Sequence, residues 1–198
     1  QMGKLRALST QCNDNPTTAC KPWDVNRDGI VLSEGGGLML LSKYKSENTI
    51  AQISGYGMSN DAYQVVAPHP DGSSIEQCMN LALKGRKPEL VNAHATGTPM
   101  GDYAELDAIY RVGLEDAYVT ANKSQLGHLM SAAGTVETIL SVLSVTNDIV
   151  TPTANSKEFK EGYNPNIVST GTKTEINSVL CNSFGFGGTN SSILIEKT

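Results

Sequence analysis

Residues 89–110 read ELVNAHATGTPMGDYAELDAIY, and the fold class follows from them. Glu89–Ala93 is a short apolar run of strand length. A loop of small residues follows, from His94 to Pro99. From Gly101 to Tyr110 the spacing turns helical, with Ala104, Ala108 and Ile109 on one side. The order strand, glycine-containing loop, helix is the repeating unit of an α/β protein. Outward from this stretch the same alternation continues. Thr49–Gly57 and Ala117–Ala121 read as strands. Ser73–Leu83 reads as a helix burying Ile75, Cys78, Met79, Ala82 and Leu83, and Gly127–Val145 as one long apolar helix. Glu175–Asn182 and Ser191–Glu196 read as strands flanking a glycine loop. Residues 10–28, rich in Asn, Asp, Pro and Thr, read as loop. Gly29–Leu41 reads as strand, glycine turn, strand.

A length of 198 residues with 39% hydrophobic content suits one globular domain. The net charge is −5, and with no basic run a nucleic-acid partner is not expected. No apolar stretch reaches membrane-spanning length. Cys12, Cys20, Cys78 and Cys181 lack CxxC spacing, which argues against a disulfide framework and for a reducing compartment.

Of three histidines, His94 and His128 each sit in a block of small residues, Asn92–Pro99 and Asn122–His128. Neither block resembles a helix surface or a half-buried strand. Glycine there lets the backbone approach a ligand, Thr96 and Thr98 offer hydroxyls, and Lys123 can tune charge in the same pocket. His69, between Pro68 and Pro70, reads as a loop residue. Asp102 and Glu105 read as first-turn helix acids favoured by the dipole. Asp24–Gly29 opens like a calcium loop, but the position that needs a bidentate Glu holds Gly35, so a polar turn is expected. The Gly185–Gly188 run lacks the Gly-Lys-Ser/Thr ending of a P-loop.

Three blocks in order, His94-Ala95-Thr96-Gly97-Thr98, Lys123…Gly127-His128 and Asn182-Ser183-Phe184-Gly185-Phe186-Gly187-Gly188-Thr189-Asn190, resemble the C-terminal signature of the β-ketoacyl synthases, elongating condensing enzymes of the thiolase superfamily. Pro22-Trp23-Asp24…Arg27-Asp28-Gly29 and Ser59–Tyr63 fit the same pattern, and the likeness runs from about residue 6 to residue 196. It implies a thiolase-like layered α-β-α-β-α fold of which this chain supplies the C-terminal half. Residues 1–60 would be closing strands of the N-terminal half and residues 61–198 the C-terminal half.

The implied reaction is decarboxylative condensation of an acyl thioester with a malonyl-acyl carrier protein in fatty-acid synthesis; a polyketide ketosynthase or a non-catalytic chain-length-factor-like partner is the alternative. The nucleophilic cysteine would lie upstream, leaving this chain alone inactive. Thr18-Ala19-Cys20 mimics its context, but Lys21-Pro22 follows where a buried helix should start. By resemblance His94 and His128 donate hydrogen bonds to the developing negative charge. Lys123 supports the protonation pattern around His128 and Glu137. The Phe186 N–H forms half of an oxyanion hole while its ring gates the acyl pocket, and Thr96 and Thr98 hold the phosphopantetheine arm. No cofactor is required, although Asn92, Glu137 and Asn182 match positions associated with a structural monovalent cation. An acyl carrier protein and a second copy of the complete enzyme are the implied partners, in the cytoplasm, or in the mitochondrial matrix or plastid of a eukaryote. Ala95 and Ile30 depart from the commoner glycine and aromatic, as do Ser33 and Gly36 from their usual residues.

Overall fold

The computed structural model describes residue 3 and residues 6–198. Seven strands and four α-helices follow one another: β1 Ala51–Asn60, α1 Ser73–Leu83, β2 Leu90–Asn92, α2 Gly101–Arg111, β3 Tyr118–Thr120, α3 Lys123–Leu126, α4 Ala133–Asn147, β4 Ile149–Val150, β5 Thr172–Lys173, β6 Ser178–Gly185 and β7 Thr189–Lys197. The main sheet has the order β1-β7-β6-β2-β3, and β4 pairs with β5 apart from it. Strands β3, β2 and β6 are parallel, whereas β7 runs antiparallel between β6 and β1.

Successive residues of a strand face opposite sides of a sheet, and the two cores divide accordingly. Val91, Val119, Leu180 and Leu194 pack with Ile75, Met79, Leu106 and Ile109 of α1 and α2. Leu90, Val179, Cys181 and Ile195 pack on the other face with Val145 of α4. The sheet is thus covered on both sides, an α-β-α portion of a layered α/β fold.

The spacing of Ser73–Leu83 predicts α1 with its true bounds and all five of its buried residues. Strands β2 and β3 and helix α2 fall where the opening stretch and its neighbour place them. Two expectations fail. The long helix does not start at Gly127. Gly127 and Met130 both take left-handed backbone angles, φ 71° and 53°, so residues 127–129 form a loop, Met130–Ala132 a 3₁₀ turn, and α4 begins at Ala133. Nor does Gly29–Leu41 form a hairpin. Ile30 and Leu32 make isolated bridges to Leu8 and His128. Beyond them no strand forms, and Leu38 and Leu40 are each 99% exposed. An apolar run becomes a strand only where another backbone takes up its N–H and C=O groups, and the described residues bring none to this segment.

The Asp24–Gly29 turn is polar, as expected. Asp28 accepts from Ser9 Oγ and the N–H groups of Thr10 and Gln11, and Asp24 from the N–H groups of Asn26, Lys157 and Glu158. These carboxylates are turned to different partners rather than to one centre. Strand β1, which ends at Asn60, pairs along its length with β7.

Helix α1 lies close on β1 because β1 carries glycines. A Cβ at Gly57 would stand 2.0 Å from the Cys78 carbonyl oxygen, and one at Gly55 2.0 Å from that of Ala82. Backbone cannot step aside as a flexible side chain does. Gly57→Ala is therefore expected to lower stability by about 1–3 kcal/mol. Gly36→Ala, where no atom lies within 4 Å, should leave it unchanged. Urea unfolding of the two variants checks this, and equal midpoints would contradict it.

Candidate active site

Ligand sites of open α/β sheets lie off the carboxyl ends of the strands. Here the three parallel strands deliver their next residues to one place. His94 follows β2, Lys123 opens α3 after β3, and β6 runs into Phe184 and the turn Phe186-Gly187-Gly188 that leads to β7. His128 enters from the loop before α4. Its N–H donates to the Val31 carbonyl and its own carbonyl accepts from Ser33 N–H. The His94 and His128 rings meet edge to face, with centroids 5.5 Å apart, and Phe184 lies 5.8 Å from His94. They line a cavity of about 330 Å³ together with Thr96, Thr98, Phe186, Val66 and Met130.

One expected role gains a different direct contact. Lys123 reaches His94 rather than His128: its ammonium lies 3.3 Å from His94 Nδ1 and pairs with Glu137 Oε1. A lysine ammonium only donates, so His94 Nδ1 accepts and the ring proton sits on Nε2. For His128 the equivalent donor is the main-chain N–H of Met130, 3.1 Å from Nδ1. The left-handed turn that ends the expected long helix is what aims this N–H. Both imidazoles therefore present Nε2–H, and no hydrogen bond joins either Nε2 to another of the described residues. Both also stay neutral. Burial, then the Lys123 charge, then His128 hold His94 well below the usual histidine range. Burial and the Lys123 charge lower His128 to about 4.

Asp102 and Glu105 are the residues that sequence reasoning assigned too small a part. Both are fully buried. Glu105 accepts from the N–H groups of His94 and Ala95, each at 2.8 Å, and from Asn182 Nδ2 at 3.0 Å. Asp102 accepts from the N–H groups of Gly97, Thr98 and Trp23. They staple the histidine loop to α2. A signal was present: Glu105 lies three and four residues before Ala108 and Ile109, on the buried stripe, where an acid needs partners.

The three residues suggested for a cation turn their side chains to different partners. Asn92 donates to Glu137 O and Ser141 Oγ, on the α4 face. Asn182 faces the other way, donating to Glu105 and accepting from Ser192. Asn92 Oδ1 already accepts from Asn122. Of the three side chains, Glu137 carries the one buried oxygen without a partner, Oε2. Cys20 is a buried loop residue whose thiol burial pushes up to about 12, the opposite of an activated nucleophile. His69 bonds Asp71 beside Tyr63, in a loop as expected. Thr96 and Thr98 bond each other at 3.3 Å on the cavity wall, and the Phe186 ring is half exposed there.

Residues 50–157 match the family beta-ketoacyl synthase, C-terminal domain. The chain belongs to that family. The 3-oxoacyl-[acyl-carrier-protein] synthase 2 of Vibrio harveyi is 41% identical over 98% of this chain and 50% of its own length. Synthase 1 of Escherichia coli is 37% identical over 98% and 49%, and the mitochondrial synthase of Arabidopsis thaliana 39% over 98% and 46%. This β-ketoacyl synthase domain thus spans about half the length of the curated relatives it matches. Among solved structures, a type II polyketide ketosynthase in complex with its acyl-carrier protein superposes over all of this chain and 52% of its own, with TM-score 0.93 and 27% identity. A β-ketoacyl synthase from Burkholderia phymatum does so over 100% and 50%, with TM-score 0.86 and 28% identity. The fold is thus that of the thiolase-like ketosynthases. No described helix is long and apolar enough to cross a membrane.

The tautomer assignment carries a test. The ¹⁵N resonances of His128 should show the Nε2–H form and a titration midpoint near 4. Because this value lies below the unfolded value of about 6.5, the folded state binds fewer protons than the unfolded one between them. Stability should then fall as pH drops from about 6.5 to about 4. A midpoint at or above 6.5 would refute the assignment.

Proposed function

We propose that the chain is the charge-stabilising half of a condensing enzyme that joins an acyl thioester to a malonyl unit carried by an acyl carrier protein. The observation that carries the reading is the pair of neutral imidazoles, each fixed at Nδ1 and each presenting Nε2–H to one cavity. Malonyl decarboxylation breaks a C–C bond and leaves its electron pair on an enolate. Two preorganised donors at that oxygen are the stabilisation the step needs. The enolate carbon then attacks an acyl thioester on a cysteine, the C–S bond breaks, and the thiolate leaves. We assign that cysteine to the upstream half of the enzyme, as the resemblance to the β-ketoacyl synthases implies; burial pushes the thiols of Cys20 and Cys181 up to about 12, away from an activated nucleophile. The Phe186 N–H supplies one oxyanion donor for acyl transfer, its ring gates the acyl pocket, and Thr96 and Thr98 take the phosphopantetheine arm.

The same reading accounts for the exposed run before β1. The unpaired run Leu38–Leu41 suits a strand that closes the sheet of the N-terminal half. The relatives at 37–41% identity bear the name 3-oxoacyl-[acyl-carrier-protein] synthase, which favours a fatty-acid substrate over a polyketide one. A non-catalytic partner has no need of a buried Lys123 set against His94. Dimerisation of the complete enzyme belongs to the same proposal.

In the complete enzyme, His94→Ala should slow CO₂ release from malonyl-carrier by about 10²–10³-fold. Acylation of the cysteine should persist, since it does not use this donor. Separate measurement of acyl transfer and of CO₂ release checks this, and undiminished CO₂ release in the variant would remove His94 from the role.

A further inference from the structure

The loop Thr96–Pro99 carries the two hydroxyls on the cavity wall, and its main chain is held from a segment the reaction does not use. Gly97 sits at φ 81°, and its carbonyl accepts from Gly29 N–H at 3.0 Å. The next two carbonyls go to one side chain: Arg27 Nε donates to Thr98 O at 2.9 Å, and Arg27 Nη2 donates to Pro99 O. Its remaining nitrogen, Nη1, donates back to Asp24 O at 3.0 Å. The guanidinium lies 4.4 Å over the Tyr103 ring, and its Nε stands 3.8 Å from Asp102. Asp102 in turn holds the N–H groups of Gly97 and Thr98 and that of Trp23, itself at φ 62°. Donors from residues 22–29 and the Asp102 carboxylate on α2 therefore consume the polar backbone of residues 97–99, and the Thr98 hydroxyl, which accepts from Thr96 Oγ1 and from Gly101 N–H, still has its own O–H to donate to a ligand in the cavity.

We infer that Arg27 is a positioning residue that sets how tightly this site grips the carrier arm, a role resting on the function proposed above. It touches no reacting atom. Its planar fork meets three carbonyls in three directions, which a lysine ammonium on a flexible stem does not reproduce. Loss of the fork frees Thr98 and Pro99 and loosens the loop, while His94 stays stapled by Glu105.

The test uses the complete enzyme with Arg27→Lys and Arg27→Ala, and two substrates: malonyl-carrier and a short malonyl thioester that lacks the phosphopantetheine arm. KM for malonyl-carrier should rise about tenfold, the loss expected for charge-assisted hydrogen bonds, with kcat for CO₂ release within about twofold. KM for the short thioester should not change. Added ethylguanidinium should lower KM again in Arg27→Ala, a rescue that a merely structural lesion does not show. Equal KM changes for both substrates, a fall in kcat without a rise in KM, or no change at all would overturn the inference. Should the unsubstituted enzyme release no CO₂, the proposed function falls. The role of Arg27 is then decided by calorimetric binding of free 4′-phosphopantetheine, where weaker binding to Arg27→Lys supports it and equal binding overturns it.

Discussion

The buried carboxylate of Glu105 is the contact on which the site depends. Taking a carboxylate out of water is costly unless donors replace the solvent, and burial pushes Glu105 up to about 7 against the pull of its donors. Those donors are the N–H groups of His94 and Ala95 and the Asn182 side chain. They come from the loop after β2 and from β6, and the acceptor comes from α2. One side chain thereby ties two parallel strands and a helix at the point where the strands end. The loop after β2 has no ladder partner for these N–H groups, so without Glu105 they would be unpaired as well.

Lys123 sets the second constraint. It is 1% exposed, and such a charge needs a partner. Glu137 on α4 supplies it across the sheet edge, and burial raises the Glu137 carboxyl while the Lys123 charge and hydrogen bond lower it. The ammonium then does two things at once. It fills His94 Nδ1, and its charge adds to burial, the larger cause, in holding both imidazoles in the neutral form that donates from Nε2. One lysine thus acts on two histidines, one by contact and one by field, and its five-residue distance from His128 in sequence pointed to the second.

What was legible in the sequence was local. The stripe of α1 repeats at helical spacing and gave the helix and its buried residues without any tertiary information. The blocks around His94, His128 and the 185–188 run were legible because small residues and glycines concentrate where a backbone turns sharply. What was not legible depends on contacts distant in sequence. The turn at Gly127–Met130 carries an apolar pattern continuous with α4, and the positive φ of Gly127 and of Met130, whose N–H donates to the His128 ring, breaks the helix. Leu38–Leu41 has the composition of a strand but no neighbour to make it one. The Asp24 and Asp28 side chains resemble metal ligands until the N–H groups of residues 10–11 and 157–158 are seen to occupy them.

These contacts also bring the two imidazoles and the groups that fix them together on one length of chain. His94, its Lys123 donor, the Glu137 counter-charge, His128 and the Met130 N–H that fixes it all lie between residues 94 and 137. Donors aimed at a developing charge are most effective when they need not reorganise as the reaction proceeds. Here each ring is fixed through Nδ1 by a group of this chain, and no part of that fixation waits for a nucleophile. A cysteine delivered from another segment would meet donors already in place. Under the proposed function, decarboxylation would draw on the carboxyl ends of β2 and β3 and the loop before α4, and acyl transfer on the segment that brings the thiolate together with the Phe186 N–H of this chain.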